Sequence, residues 1–255
     1  MYSNKLNEPK DEDIKFILNL IKSGKIDEAK KEIKKVFDKF PNSSILFNIN
    51  GAILSAQNKS LEAIESYKKA IKISPIYAQA YNNLGITLYK LKKVDEAIKV
   101  YKESINLNKN LPEPYYNLGN VMLELGRFKE SIVFFKNAIK NKPDYSDAFY
   151  SLGNSNYLLG NINEAIVNFK HSIKIQPNHA EAYYKLGLAF SNLKKFDESL
   201  IAYNKAIEIK YDFEQAYNNL GGLLSSLGRF DEAIINFKHA IKLKTDYAIA
   251  HSNLG

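Results

Sequence analysis

The stretch that decides the fold is "AYNNLG", Ala80–Gly85, which returns letter for letter as Ala216–Gly221. The two copies start 136 residues apart, four periods of 34. Each holds two adjacent asparagines, although Asn disfavours helix interiors because its side chain competes for the backbone. Sliding the 255-residue chain against itself at 34 residues aligns nearly all of it. The units are 10–43, 44–77, 78–111, 112–145, 146–179, 180–213 and 214–247, then a truncated unit 248–255, with a tail at 1–9. No Pro/Gly/Ser-rich linker and no shift in composition separates them, so residues 10–255 read as a single array.

Within a unit the apolar residues follow a helical period in two segments of about a dozen residues. The first ends at unit position 15, held by Gly24, Gly126, Gly160 and Gly228, where glycine supplies the left-handed conformation that stops a helix. Asn58 tolerates that geometry, whereas Lys92 and Lys194 should find it harder. The second segment opens near position 18 with Asp27, Asp95, Asn163, Asp197 or Asp231, which suit a helix N-terminus through capping and the macrodipole. Proline at position 32 (Pro41, Pro75, Pro143, Pro177) closes the unit.

Small residues mark where the two helices approach. Position 8 is glycine from Gly51 onward, including Gly85, Gly153, Gly187, Gly221 and Gly255. Positions 20 and 27 are alanine or serine, with Val36 the exception. Aromatics at positions 4 and 24 and leucine at 7 fill the space between. The pattern reads as antiparallel helix pairs stacked on their neighbours.

This phase pattern closely resembles the tetratricopeptide repeat (TPR) signature over about 240 residues. The Asn-Leu-Gly units, "AYNNLG", "PYYNLG" and "AHSNLG", look most like the long arrays of O-linked N-acetylglucosamine transferases and related bacterial proteins. The resemblance implies an all-α solenoid, a right-handed superhelix of helix pairs. Its first helices would line a concave groove and its second helices the convex face.

Composition bounds the rest. At 45% hydrophobic and 25% charged residues the chain can bury a core and is not disordered by composition. Cysteine is absent, so disulfides and thiolate metal sites are excluded. No apolar run is long enough to span a bilayer, and the N-terminus lacks a signal-peptide core, so the expectation is a cytoplasmic protein. The net charge of +8 raises the question of nucleic acid. Abundant Lys, Asn, Ile, Tyr and Phe would also follow from an AT-rich genome. The lysines form columns at position 25 (such as Lys68, Lys136, Lys170, Lys238) and position 29 (Lys72, Lys140, Lys174, Lys242) of the second helix, a solvated exterior. Nucleic acid is therefore not expected as the partner.

Nothing in the sequence resembles an active site. There is no phosphate-binding glycine loop and no HExxH motif. His171 and His239 share position 26 two units apart, too far to share a metal, and His179 and His251 read as ordinary repeat residues. No enzyme and no cofactor is expected.

The binding expectation rests on the first helix. Position 6 reads Ile49, Asn83, Asn117, Ser151, Lys185, Asn219 and Asn253. Four asparagines in seven exceed what 28 in 255 supplies. An Asn amide both donates and accepts, so a row of them can hold a peptide backbone without reading its side chains. The glycosyltransferase family uses a comparable ladder, and that role carries over to the four matching positions. Position 5 runs Asn48, Asn82, Tyr116, Tyr150, Tyr184, Asn218, and tyrosine there offers an apolar face with a polar tip. Asn120 and Asn154 at position 9 and Tyr157 at position 12 join the same surface. The competing reading is that each tyrosine packs on the adjacent first helix. No unit carries lysine at position 5, so the chaperone-tail clamp of some TPR proteins is disfavoured.

The expected function is a scaffold binding an extended peptide or protein segment in the groove. The alternative is the substrate-recruiting part of a larger enzyme, such as a glycosyltransferase, with catalysis beyond residue 255; an RNA-binding array ranks behind both. Asp13 at position 4 and Ile17 at position 8 make the first unit atypical, as a cap requires. The far end breaks off within a first helix, so the expectation is that more chain follows or that this end packs on another molecule, including end-to-end self-association.

Overall fold

The computed structural model describes residues 8–254, which contain fifteen α-helices. The first helices of the units are α1 (Asp11–Lys22), α3 (Ser44–Ala56), α5 (Ala78–Lys90), α7 (Pro112–Glu124), α9 (Ser146–Leu158), α11 (Ala180–Asn192), α13 (Glu214–Ser226) and α15 (Ala248–Leu254). The second helices are α2 (Ile26–Lys39), α4 (Ser60–Ile73), α6 (Val94–Leu107), α8 (Phe128–Asn141), α10 (Ile162–Ile175), α12 (Phe196–Ile209) and α14 (Phe230–Leu243). From α2 onward each class of helix begins every 34 residues. The chain divides into two compact units, Met1–Val121 and Met122–Gly255. Of the tail expected at 1–9 only Glu8 and Pro9 are among the described residues, and Gly255 lies outside them.

The pairing of helices within a repeat follows from glycine at position 8 meeting the aromatic at position 24. In the first compact unit a Cβ built on Gly51 or Gly85 would lie 2.5 Å from a ring carbon of Tyr67 or Tyr101. In the second, Gly153, Gly187 and Gly221 stand in the same relation to Phe169, Tyr203 and Phe237, at 2.6–2.7 Å. Only a residue without a side chain lets the backbone approach these rings. The first repeat solves the same packing with different volumes. Ile17 replaces the glycine and Ile33 the aromatic, and both are buried in one core cluster with Leu20 and Leu46.

Serine at the close-approach positions is buried without leaving its hydroxyl unpaired. Ser104 donates to the Ala78 carbonyl and Ser199 to that of Gly187, each at 2.8 Å. Ser131 lies 2.8 Å from both the Phe128 carbonyl and the Ser155 hydroxyl. A buried hydroxyl with a partner avoids the desolvation penalty that would otherwise disfavour it.

The inter-helix turn at position 15 takes positive φ in every repeat where it is described. Gly24, Gly126, Gly160 and Gly228 do so, and so do Asn58, Lys92 and Lys194 at 57–62°. The two lysines therefore hold a conformation that costs a residue with a Cβ about 1 kcal/mol.

The N-termini of the second helices differ from the sequence reading. They begin at position 17, so the residue in the N-cap place is Lys25, Lys59, Lys93, Arg127, Asn161, Lys195 or Arg229, and none caps through its side chain. Asp27, Asp95, Asp197 and Asp231 are the second residue of the helix. Their carboxylates complement the macrodipole but cap nothing. The basic position instead pairs with Glu three residues on: Lys25–Glu28, Lys93–Glu96, Arg127–Glu130, Arg229–Glu232. Ser43 is a true cap, accepting from the Leu46 amide, and Glu8 in turn accepts from the hydroxyls of Ser43 and Ser44.

Candidate functional site

The two asparagines of "AYNNLG" have different environments. Position 5 lies at the seam between neighbouring first helices and position 6 beside it, half-buried. Asn82 is 1% exposed, and Asn48 and Asn218 are buried too. Asn83, Asn117 and Asn219 are half-buried.

A regular hydrogen-bond ladder links them, always between position 6 of one repeat and position 5 of the repeat before. In the first compact unit Asn83 Nδ2 donates to Asn48 Oδ1 at 3.0 Å, and Asn117 Nδ2 to Asn82 Oδ1 at 2.9 Å. In the second, Asn219 Nδ2 donates to the Tyr184 hydroxyl at 2.9 Å and Asn253 Nδ2 to Asn218 Oδ1 at 3.0 Å. A parallel rung one helical repeat of face further along joins position 13 to position 12: Asn192 Nδ2 donates to the Tyr157 hydroxyl at 3.0 Å. Each rung spans 35 residues, one more than the repeat. A comparison of polar residues at 35 rather than 34 is the sequence signal that would have exposed it.

The ladder consumes part of each amide. A primary amide has two N–H donors and two acceptor lone pairs. One donor of Asn83, Asn117, Asn219 and Asn253 is committed to the neighbouring repeat, which leaves capacity on the half-exposed position 6 and little on the buried position 5. Asn120 and Asn154 at position 9 are half-buried on the same helix faces.

The tyrosines are also partly engaged. Tyr150 packs with its ring centroid 4.9 Å from that of His179 and 6.0 Å from Phe169. Tyr184 packs in the same way on Phe213, at 4.9 Å, and on Tyr203, at 6.1 Å. Burial pushes the Tyr184 phenol up to about 12, so it stays protonated and its hydroxyl remains able to donate. Tyr116, Tyr150, Tyr157 and Tyr184 are all half-buried, with one flank against the protein.

Charge is sparse on these helices. From α3 to α13 the first helices contain two cations, Lys90 and Lys185. Lys90 reaches Asn58 Oδ1 at 2.7 Å. Lys185 stands at position 6, where other repeats place asparagine. It is half-buried, 5.9 Å over the Tyr184 ring, with no hydrogen bond or ion pair among the described residues. Burial holds its pKa below the ordinary lysine value. The nearest acidic residue along the helix, Glu181, is paired with Lys210 at 3.2 Å.

The histidines are structural. His171 stacks on Phe149 and His239 on Tyr217, with centroids 5.1 and 5.2 Å apart. His179 Nδ1 lies 2.9 Å from the buried Ser172 hydroxyl. No cluster of His, Cys, Asp or Glu able to hold a metal occurs among the described residues. The lysine columns at positions 25 and 29 are exposed on the second helices, away from the ladder. No described helix is long and apolar enough to cross a membrane.

A family model described as "TPR repeat" matches residues 51–92, 87–126, 119–160 and 153–194, more than half of the chain. The chain belongs to the tetratricopeptide repeat family. Two further TPR models match residues 180–210 and 214–247. Among solved structures, the TPR protein YrrB, described as having an unusual peptide-binding site, is 23% identical over 74% of this chain and 97% of its own, with a TM-score of 0.65. MamA is 29% identical over 65% of this chain and 96% of its own, with a TM-score of 0.61. The C-terminal part of a TPR repeat-containing protein from Cytophaga hutchinsonii is 18% identical over 95% of this chain and 99% of its own, with a TM-score of 0.69. No curated protein matches the sequence. TPR arrays are scaffolds of protein–protein interaction and typically not catalytic.

Proposed function

We propose that the first-helix face of the compact unit Met122–Gly255 is a groove that binds an extended protein segment, and that the segment carries a carboxylate. The observation that carries this is Lys185. A half-buried ammonium without an acceptor is costly in the free protein. Its seat in the second compact unit, above the Tyr184 ring and next to the Asn219–Tyr184 rung, gives an incoming carboxylate both a charge and neutral hydrogen-bond donors. In that unit the remaining capacity of Asn154, Asn219 and Asn253 supplies contacts to a peptide backbone, and the exposed flanks of Tyr150, Tyr157 and Tyr184 supply apolar surface; Tyr116, Asn117 and Asn120 offer the same chemistry on the first helices of the other unit. Asn82, Asn83 and Asn218 act chiefly by holding neighbouring first helices in register. The first helices α9, α11 and α13 of the unit Met122–Gly255 carry one cation, Lys185, and that does not suit the phosphates of a nucleic acid, which need many.

The test is a set of fluorescent extended decapeptides that differ only in a central Glu, Gln or Lys, measured by polarisation. The Glu peptide should bind best, and Lys185→Asn should abolish the preference while retaining helicity, since asparagine is the residue other repeats use there. Equal affinities for the three peptides, or a preference that survives Lys185→Asn, would refute the proposal.

A further inference from the structure

A second surface lies on the second helices of the compact unit Met122–Gly255. Position 22 there is Val133 on α8, Val167 on α10, Ile201 on α12 and Ile235 on α14. All four point to water, with 55%, 53%, 71% and 55% of their surface exposed. The fold does not require this. In α2, α4 and α6 the same position is Lys31, Glu65 and Lys99. Single exposed aliphatic residues need no explanation, but the same β-branched type at the same solvent position of four successive helices forms a stripe.

The flanks of the stripe differ in charge. One turn toward the N-termini stands a row of carboxylates, Glu130, Glu164, Glu198 and Glu232. One and two turns toward the C-termini stand Lys136 and Lys140, Lys170 and Lys174, and Lys238 and Lys242; α12 departs with Asn204 and Glu208. None of these six lysines is in an ion pair among the described residues. The macrodipole accounts for acids at N-termini and lysines at C-termini. It does not account for aliphatic residues in water between them.

We infer that this face docks an amphipathic helix of a partner protein, lying across α8, α10, α12 and α14. Its apolar stripe covers the four aliphatic residues, and an acidic flank faces the lysines. Each of the four packs on an intervening first helix. A helix is about 10–12 Å across, so the axes of four lying side by side span at least about 30 Å, the length of a helix of about 20 residues. The asymmetry of charge selects the occupant. An anionic membrane surface would be attracted to the lysine side but would meet the exposed carboxylates of Glu164 and Glu198, while Glu130 and Glu232 are paired with Arg127 and Arg229. A second copy of this basic chain would bring lysine columns together. An elongated partner with one acidic flank satisfies both sides at once. This face lies on different helices from the groove, so the two proposals stand or fall separately.

The probe is a synthetic 21-residue helical peptide with leucines at i, i+3, i+4 and i+7 spacing and glutamates along one flank, titrated by fluorescence polarisation. Replacing Val133, Val167, Ile201 and Ile235 together by glutamine, a neutral helix former, should weaken binding at least tenfold with unchanged helicity. Lys136→Glu with Lys170→Glu should weaken it severalfold and should favour a peptide whose flank is lysine. The groove variant Lys185→Asn should leave it unchanged. Binding that survives the fourfold substitution overturns the inference. So does failure of the peptide to bind the native chain, or binding to phosphatidylserine vesicles that the fourfold substitution removes while the peptide affinity stays. A dimer of the native chain in light scattering that the fourfold substitution dissolves would assign the face to a second copy and overturn it as well.

Discussion

Replacing Gly85 with alanine tests the packing on which every repeat depends. The new Cβ would lie 2.5, 2.7 and 2.9 Å from three ring carbons of Tyr101, where carbon atoms normally meet at about 3.5–4.0 Å. Tyr101 is 2% exposed, so its ring has no solvent to swing into and must retreat by about 1 Å together with its helix. Overpacking of this kind costs about 1–3 kcal/mol, while alanine returns about 1 kcal/mol of helix propensity. The expected net loss is about 0–2 kcal/mol. Gly222, one residue past the equivalent glycine of α13, is the internal control. Nothing lies within 4 Å of its Cβ position, so Gly222→Ala should gain about 1 kcal/mol. At about 2–4 °C per kcal/mol for a chain of this size, the melting temperatures of the two variants should differ by roughly 2–12 °C, read by far-ultraviolet circular dichroism. A Gly85→Ala protein that gains as much as Gly222→Ala would refute the close-approach argument.

Three further outcomes follow from the ladder and the turns. A double-mutant cycle on Asn82→Ala and Asn117→Ala should return a coupling of about 1 kcal/mol, the worth of one neutral hydrogen bond; a coupling near zero would mean the rung contributes nothing. Lys194→Gly should raise stability by about 0.5–1 kcal/mol in urea titration, because glycine accepts the positive φ without strain, and a loss would argue against that reading. Burial holds the His179 imidazole below its ordinary pKa of 6.5. Between that lowered value and 6.5 the unfolded chain binds more protons, so the contribution of neutral His179 is intact above about pH 6.5 and declines as the pH falls through the window. The melting advantage of the native chain over His179→Gln should therefore shrink between pH 7.5 and 5, and parallel pH profiles would contradict it.

The repeat was legible because its signals are steric and fall at fixed places. Glycine at position 8 and the small residues at 20 and 27 admit few readings at a 34-residue period, and position 15 announced itself through Gly24, Gly126, Gly160 and Gly228. Lys92 and Lys194 were marked as strained there, and they do take positive φ. The caps were misread because an acidic residue in the first turn and one at the N-cap look alike in sequence, and only two residues of offset separate them. The candidate site was legible as a row of unusual asparagines, but the division of labour between Asn82 and Asn83 was not. Both lie on the same side of one helix, and which one is buried depends on the approach of the neighbouring helix, a tertiary fact. The aliphatic stripe went unnoticed because exposed Val or Ile at one position looks like a core residue until the burial of its helix is known.

The rung between positions 6 and 5 also bears on how such a chain changes length. Where position 6 is asparagine, a repeat offers a donor to the acceptor at position 5 of the repeat before, so the connection works like a coupling between carriages, with Ile49, Ser151 and Lys185 interrupting the run. If residues 180–213 were excised, Asn219 would come to face Tyr150 in place of Tyr184, and the same amide-to-phenol bond would be available. Unequal recombination in whole repeats thus leaves the joints usable, whereas an insertion of any other length breaks them. The joint chemistry lets a gene of this kind add or shed a module without first evolving a new interface.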